Sequence, residues 1–520
     1  LVSSVETRHG TSLQDDNKGK ACVRAFVEQH EMQPELEPYR DTLSKALREV
    51  KICDPAIGSG AFPMGLLNEL WRCREALGTQ MSRLQLKKEI IENNIYGVDI
   101  ERGAIDIARL RFWLSIVVDS EKAEPLPNFD YKFMQGNSLI ESYGGFDLSR
   151  IAGKTVGRPS TSTQLVIGLD SDLSRKNLQK LLHEYFSVTD HQKKATMRHA
   201  INAEVKTLIR ESVGGTPTFL AKLEQLDPSA NQDFFLCHTW FKDIFDKGGC
   251  TVFMLNPPYG AKYSEECKRY YKEHYVTAKT ITGKQKASLD TFTLFIEHGY
   301  NILKTNGNLA FIVPIALTSS DSLSGIHHIL LEKCDNIYIS SYAVRPKPVF
   351  ERAVVNTSIL LFTKTEKRCH HVFSTKMHRR NEDKFNLQYL VDHLQFTDVK
   401  DYMLYGRIPK IGSEIEKRVL CKINKHKRLS SFYHYKGSPI YYRTTGGRYF
   451  KVVTNYPTGS TKEKPLLFEK RVANSIGCIL SSNLSFWFYQ IYSNNLDWKT
   501  YEIENFTLPI LSDVNIVELE

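Results

Sequence analysis

The segment Asp54-Pro55-Ala56-Ile57-Gly58-Ser59-Gly60-Ala61-Phe62 follows an apolar run and opens an amphipathic stretch. Glycines at such a turn let the backbone bend sharply and approach a ligand closely. The helix N-terminus behind them favours electronegative groups. A strand, Gly-rich turn and helix in this order belong in a parallel sheet, and the rest of the chain agrees. Short apolar runs at 50–53, 95–99, 131–134, 251–255, 309–314, 336–343 and 354–363 predict seven strands. Amphipathic stretches at 61–77, 103–118, 289–304 and 322–333 predict helices between them. The expected fold is therefore α/β, a doubly wound, mostly parallel seven-stranded sheet covered on both faces. Only a loop joins the last two strands, which predicts an antiparallel hairpin at one edge.

Organisation beyond this rhythm follows from changes of character. The chain has 520 residues, enough for two to four domains at about 150 each. Residues 1–45 read as a helical arm, open to being truncated. Residues 46–149 and 246–365 form the α/β domain. Residues 150–245 are polar, carry basic helical patterns such as 192–210, and read as a helical insertion in which a solvated helix is favoured over a nucleic-acid contact. From about Tyr405 aromatic residues become frequent and turns such as Thr445-Gly446-Gly447 break up short β-prone runs. Residues 400–520 read as a smaller α+β domain, its completeness open.

Composition narrows the function classes. At 41% hydrophobic and 25% charged, the chain is ordinary globular protein rather than collagen-like, disordered or coiled-coil. It contains no apolar run of 18 residues, so no membrane association is expected. A formal net charge of +10 is compatible with a polyanionic partner. Ten cysteines occur without any CxxC pair, which gives no support to a zinc ribbon or a thioredoxin-like site, and no metal is expected. The thiols read as reduced and the protein as cytoplasmic. The opening residues from Leu1 have neither the basic start nor the apolar core of a signal peptide, and the chain reads as a piece of something longer.

Two motifs carry chemistry. In the first, the strand after the Gly-rich turn ends Tyr96-Gly97-Val98-Asp99, placing an acid where a doubly wound sheet binds a ribose diol. The 41 residues between Gly58 and Asp99 exceed the roughly 20 of dinucleotide folds, which argues against NAD. The competing reading of Asp99 is a helix N-cap. The second motif is Asn256-Pro257-Pro258-Tyr259-Gly260, directly after the predicted strand 251–255. Prolines stiffen the loop and cannot donate. The carbonyl between them and the Asn256 side chain then offer two acceptors side by side. That pair suits a planar exocyclic amine, whose lone pair is freed for attack on a methyl sulfonium when both N–H groups are held. Tyr259 adds an aromatic face for stacking. The competing reading is a Pro-rich turn capping a strand.

Taken together, Asp54 to Phe62 and Asn256 to Tyr259 resemble the signatures of adenine-N6 DNA methyltransferases dependent on S-adenosyl-L-methionine. The narrower resemblance is to the gamma arrangement, to the single-chain type IIG restriction–modification or phage-defence kind, with a TaqI-like C-terminal specificity domain. It implies that Asp54, Pro55, Ala56, Gly58 and Gly60 wrap the methionine part of the cofactor. Asp99 would hold the ribose, Ile100 the adenine ring, and Asn137 with Ser138 the adenine amine. The stretch 290–295 would help to line the cofactor pocket. Asn256, Pro257, Pro258 and Tyr259 would be catalytic. Tyr259 and Phe350 would sandwich a base flipped out of double-stranded DNA, with core packing the even alternative for Phe350. Lys436, Arg443 and Arg448 stand among interleaved tyrosines and would bind the substrate backbone; a solvated basic face is the bland alternative. Relatives carry a Tyr/Phe-Thr-Pro motif upstream that is not recognisable here. A nuclease domain upstream in the natural chain, or a separate restriction partner, is the expected companion. The alternatives are a DNA-binding specificity module with an idle site, or an Asn-Pro-Pro-Tyr enzyme acting on RNA or protein glutamine.

Overall fold

A computed structural model describes residues 16–122, 125–148, 170–213, 216–281, 286–350, 354–380, 387–445 and 451–508. The chain divides into two compact units: 1–258, 262–270 and 294–310 form the first, and 259–261, 271–293 and 311–520 the second.

In the first unit four strands lie in the order β4-β1-β2-β3, with β1 at Ile52–Asp54, β2 at Ile95–Asp99, β3 at Phe133–Gln135 and β4 at Cys250–Leu255. All three pairings are parallel, with Asp54 opposite Gly97, Asp99 opposite Gln135 and Cys53 opposite Phe253. Every carboxyl end therefore lies on one edge. Helices Ala61–Ala76 and Arg102–Val117 connect and cover these strands close to where periodicity predicts them. A further helix, Arg83–Asn94, starts at a capping box in which Ser82 Oγ accepts from the Gln85 amide at 3.3 Å. Leu67, Ile90, Ile91, Ala108 and Phe112 are fully buried in the resulting core. Burial of each such side chain is worth about 1.5–3 kcal/mol for the larger ones.

The stretch between β3 and β4 holds helices Asp170–Ser187, His191–Val213 and Pro217–Gln225. His191–Val213 is not solvated all round. Ile201, Val205, Leu208 and Ile209 are buried at helical spacing, so one face packs.

In the second unit the order is β7-β6-β8-β9. Here β6 is Cys334–Tyr342, β7 Thr357–Lys364, β8 Val372–His378 and β9 Thr397–Asp398. The expected antiparallel pair is β6 with β7, but it is not an edge hairpin, because β8 adds in parallel to β6 and β9 follows antiparallel. Strand β8 escapes pattern reading because most of its buried positions are polar: Ser374, Thr375 and His378 are buried beside Val372. With β5, Leu303–Pro314, whose residues fall in both units, such strands number nine among the described residues instead of seven.

Further along, β10 at Tyr433–Arg443 is flanked antiparallel by β11 at Val453–Thr454 and β12 at Glu463–Phe468. Helices Ala473–Leu480 and Asn483–Tyr492 follow. No described helix is long and apolar enough to cross a membrane.

Candidate active site

The Gly-rich turn is shaped by two left-handed residues, Gly58 at φ +54° and Gly60 at φ +78°. A side chain at Gly60 would press on Ala108 and Phe112 at 3.2–3.3 Å, so this glycine lets the turn lie against helix Arg102–Val117. At Gly58, by contrast, a Cβ would meet nothing within 4 Å. The loop is closed behind and open in front, a cradle that a ligand can fill. Asp54 is 2% exposed, and its Oδ1 accepts from the Ala56 amide at 3.2 Å. Burial raises its carboxyl well above the ordinary aspartate range, with the negative charge of Asp99 adding to the shift and the Ala56 amide opposing it.

Asp99 ties two strands' ends together. Its Oδ2 accepts from the Gly58 amide at 2.8 Å and its Oδ1 from the Glu101 amide at 2.9 Å. The N-cap of the following helix is Glu101, without a side-chain cap, so Asp99 is not the cap. A carboxylate has about four acceptor sites. Two amides leave capacity for a pair of hydroxyls. Next to it Ile100 stands 44% exposed, an apolar surface beside the acid.

The loop after β3 is pinned to the same place. Ser138, 5% exposed, donates from Oγ to the Pro55 carbonyl at 2.7 Å. Asn137 Oδ1 accepts from the Leu139 amide at 3.2 Å, a turn that an aspartate would also make. The Gly136 amide donates to the Asp99 carbonyl at 2.9 Å. The site's residues thus meet through hydrogen bonds although the turn holding Pro55 and Gly58 is distant in sequence from both Asp99 and Ser138. These groups suit S-adenosyl-L-methionine: an open Gly-rich cradle, an acid with spare acceptors and an exposed isoleucine.

Asn256 and Pro257 continue from β4 at the same edge, because Cys53 of β1 aligns with Phe253. Asn256 is half-buried, Pro257 buried and Pro258 exposed. Tyr259, which belongs to the second unit, donates its hydroxyl to the Ile312 carbonyl at 2.9 Å. Burial raises its phenol pKa, so the hydroxyl stays a donor and the ring is held by it. Phe350 is half-buried and also lies in the second unit. Lys436 and Arg443 are exposed on β10. Arg448 lies outside the described residues.

Pattern reading missed three supports of this site. Gly97, inside β2, leaves room for Ile57: a Cβ there would sit 2.3 Å from Ile57 Cδ1. A glycine within a strand is the signal that could have revealed it. Gly136 is crowded in the same way by the Phe234 carbonyl at 2.7 Å. The third is a part-buried pair just beyond Ser138, where Glu141 Oε1 lies 3.0 Å from His238 Nδ1.

Residues 93–350 match the family model of the Eco57I restriction-modification methylase. The matched segment holds Asp99, Asn137, Asn256 to Tyr259 and Phe350, while the turn from Asp54 to Gly60 lies upstream of it. A protein of Methanocaldococcus jannaschii named as a putative type II restriction enzyme and methyltransferase is 28% identical over 382 residues, 63% of this chain and 31% of that protein. The adenine-specific methyltransferase PglX of Lacticaseibacillus casei is 22% identical over 288 residues, 54% of this chain and 21% of PglX. Among solved structures, the ATP-dependent type ISP restriction-modification enzyme LlaBIII bound to DNA is similar at a TM-score of 0.42 and 14% identity, over 82% of this chain and 24% of that one. The chain thus spans less than a third of the length of each of these three proteins.

Proposed function

We propose that this chain is an adenine-N6 DNA methyltransferase using S-adenosyl-L-methionine, the modification part of a restriction–modification or phage-defence system. The observation that carries the reading is Asp99, whose carboxylate joins the Gly-rich turn to the end of β2 on the edge from which Asn256-Pro257-Pro258 continues. The Eco57I methylase match supports the same class.

When bound, S-adenosyl-L-methionine supplies an electrophilic methyl group with a thioether as leaving group. The chain's own residues do the rest. Gly58 and Gly60 shape the cradle; Asp99 would accept the ribose hydroxyls, Ile100 would face the adenine, and Asn137 and Ser138 would set the loop at its amine. Asn256 Oδ1 and the Pro257 carbonyl accept the two N–H groups of the target adenine, which directs the nitrogen lone pair at the methyl carbon. The amine proton, held by these two acceptors, would pass to water. Positioning and this polarisation supply most of the acceleration. Reaching the amine requires flipping the base at a cost of a few kcal/mol, offset by stacking on Tyr259 and Phe350. Residues 400–520 would act as a TaqI-like specificity domain of a type IIG arrangement, with Lys436, Arg443 and Arg448 on the DNA. Restriction activity is assigned to a further segment of the natural chain or to a separate partner.

The test is transfer of labelled methyl to unmethylated duplex DNA by the parent chain and by Asn256→Ala, with the product nucleoside identified by mass spectrometry. N6-methyladenine from the parent and a rate lower by on the order of 100-fold from the variant are expected for a lost transition-state hydrogen-bond acceptor. Equal rates, or another product, would refute the assignment.

A further inference from the structure

Strand β10 carries an irregularity that the proposed chemistry does not use. Tyr433 and Ser438 both pair with Phe468 of β12, so the four residues 434–437 loop out opposite a single partner. The loop closes so tightly that a Cβ on Gly437 would lie 1.9 Å from the Phe468 carbonyl oxygen; no side chain fits there. At the apex Tyr435 is 78% exposed. It is also organised. The His434 ring stacks on it with centroids 5.2 Å apart and planes at 24°, and Lys436 Nζ stands 5.4 Å from its ring centre. The Lys436 amide donates to His434 Nδ1 at 3.3 Å, which closes the tip on itself.

A single exposed aromatic is ordinary on a protein surface. A bulge that lifts one off a sheet, with a glycine that only this geometry demands, is a device for re-aiming a side chain. The chemistry of the tip selects its partner. A flat, pre-stacked ring beside an ammonium group and an imidazole matches a base face next to a phosphate. The exposed Lys427, Arg428 and Arg443 of the same unit have the same sign.

We propose that Tyr435 enters double-stranded DNA as an aromatic wedge against a base step, with Lys436 on the neighbouring phosphate. This rests on the DNA reading above and adds to it the residue that distorts the duplex and holds the recognition region in register.

The experiment uses the full chain with a fluorescein-labelled mixed-sequence duplex for affinity and unmethylated plasmid DNA for methyl transfer. Tyr435→Ala should weaken duplex binding about 5- to 100-fold, as removal of a base-stacking aromatic does, and Tyr435→Phe should restore it. Lys436→Ala should lower the salt slope by about one. The parent, but not Tyr435→Ala, should shift the linking number of closed circular plasmid relaxed in its presence. Unchanged unfolding of the alanine variant excludes a merely structural effect, since the side chain is exposed. A parent that binds and methylates DNA alongside an alanine variant of equal affinity overturns the wedge alone. An equal loss in Tyr435→Phe overturns stacking as its basis. A parent that does not bind duplex DNA overturns the wedge and the underlying reading together.

Discussion

At the scale of single residues, the candidate site is held by contacts between groups that the sequence keeps far apart. Asp99 stands out as an acid at a strand end, but its link to the Gly58 amide across 41 residues is a product of the parallel β1–β2 pairing. Gly97 is the clearer case. It reads as a weak point in a strand, whereas the structure shows Ile57 filling the space a side chain would take. Gly97→Ala should therefore destabilise the protein by about 1–3 kcal/mol through overpacking. Ile57→Val, which removes the clashing Cδ1 atom, should recover part of that loss in the double variant. Chemical denaturation of the four proteins checks this, and an alanine variant as stable as the parent would refute the packing argument.

Elements were legible where their cores are apolar. Helices Ala61–Ala76 and Arg102–Val117 and strands β1, β2 and β4 announce themselves by periodicity, because burying an apolar face demands it. Strand β8 did not, because polar Ser374, Thr375 and His378 share its buried positions with Val372. Another element depends on a buried lysine. Lys410, 2% exposed, donates to the Ile491 and Ser493 carbonyls, both at 2.8 Å, and so satisfies the C-terminal end of helix Asn483–Tyr492. Burial is the main cause that lowers its pKa from 10.5 to about 7. Between those values the unfolded chain holds the proton more fully than the folded one. Lys410 therefore makes stability rise with pH from about 7 to about 10.5, with a slope of at most ~1.4 kcal/mol per pH unit. Lys410→Met should remove that share of the rise. Denaturant midpoints across this range test it, and an unaltered slope would show that Lys410 does not titrate there.

For the whole molecule, the net charge of +10 and the exposed cations of the second unit set an expectation for its proposed partner. Duplex DNA binding should weaken on the order of 100-fold between about 50 and about 200 mM salt, as phosphate contacts release counterions. Fluorescence anisotropy at several salt concentrations measures this, and a flat dependence would remove the electrostatic argument. The α/β class with its parallel strands and the two motifs, Asp54 to Gly60 and Asn256 to Tyr259, are legible in the amino-acid order alone. Both are written in near neighbours, since turn chemistry and hydrophobic period depend on residues a few positions apart. That Asp99 links the Gly-rich turn to β2 instead of capping a helix, that β6 and β7 are not an edge hairpin, and that β10 lifts Tyr435 into solvent emerges only on folding. Those outcomes depend on which distant backbone groups pair and on the space left between them, and no local pattern in a chain encodes that space.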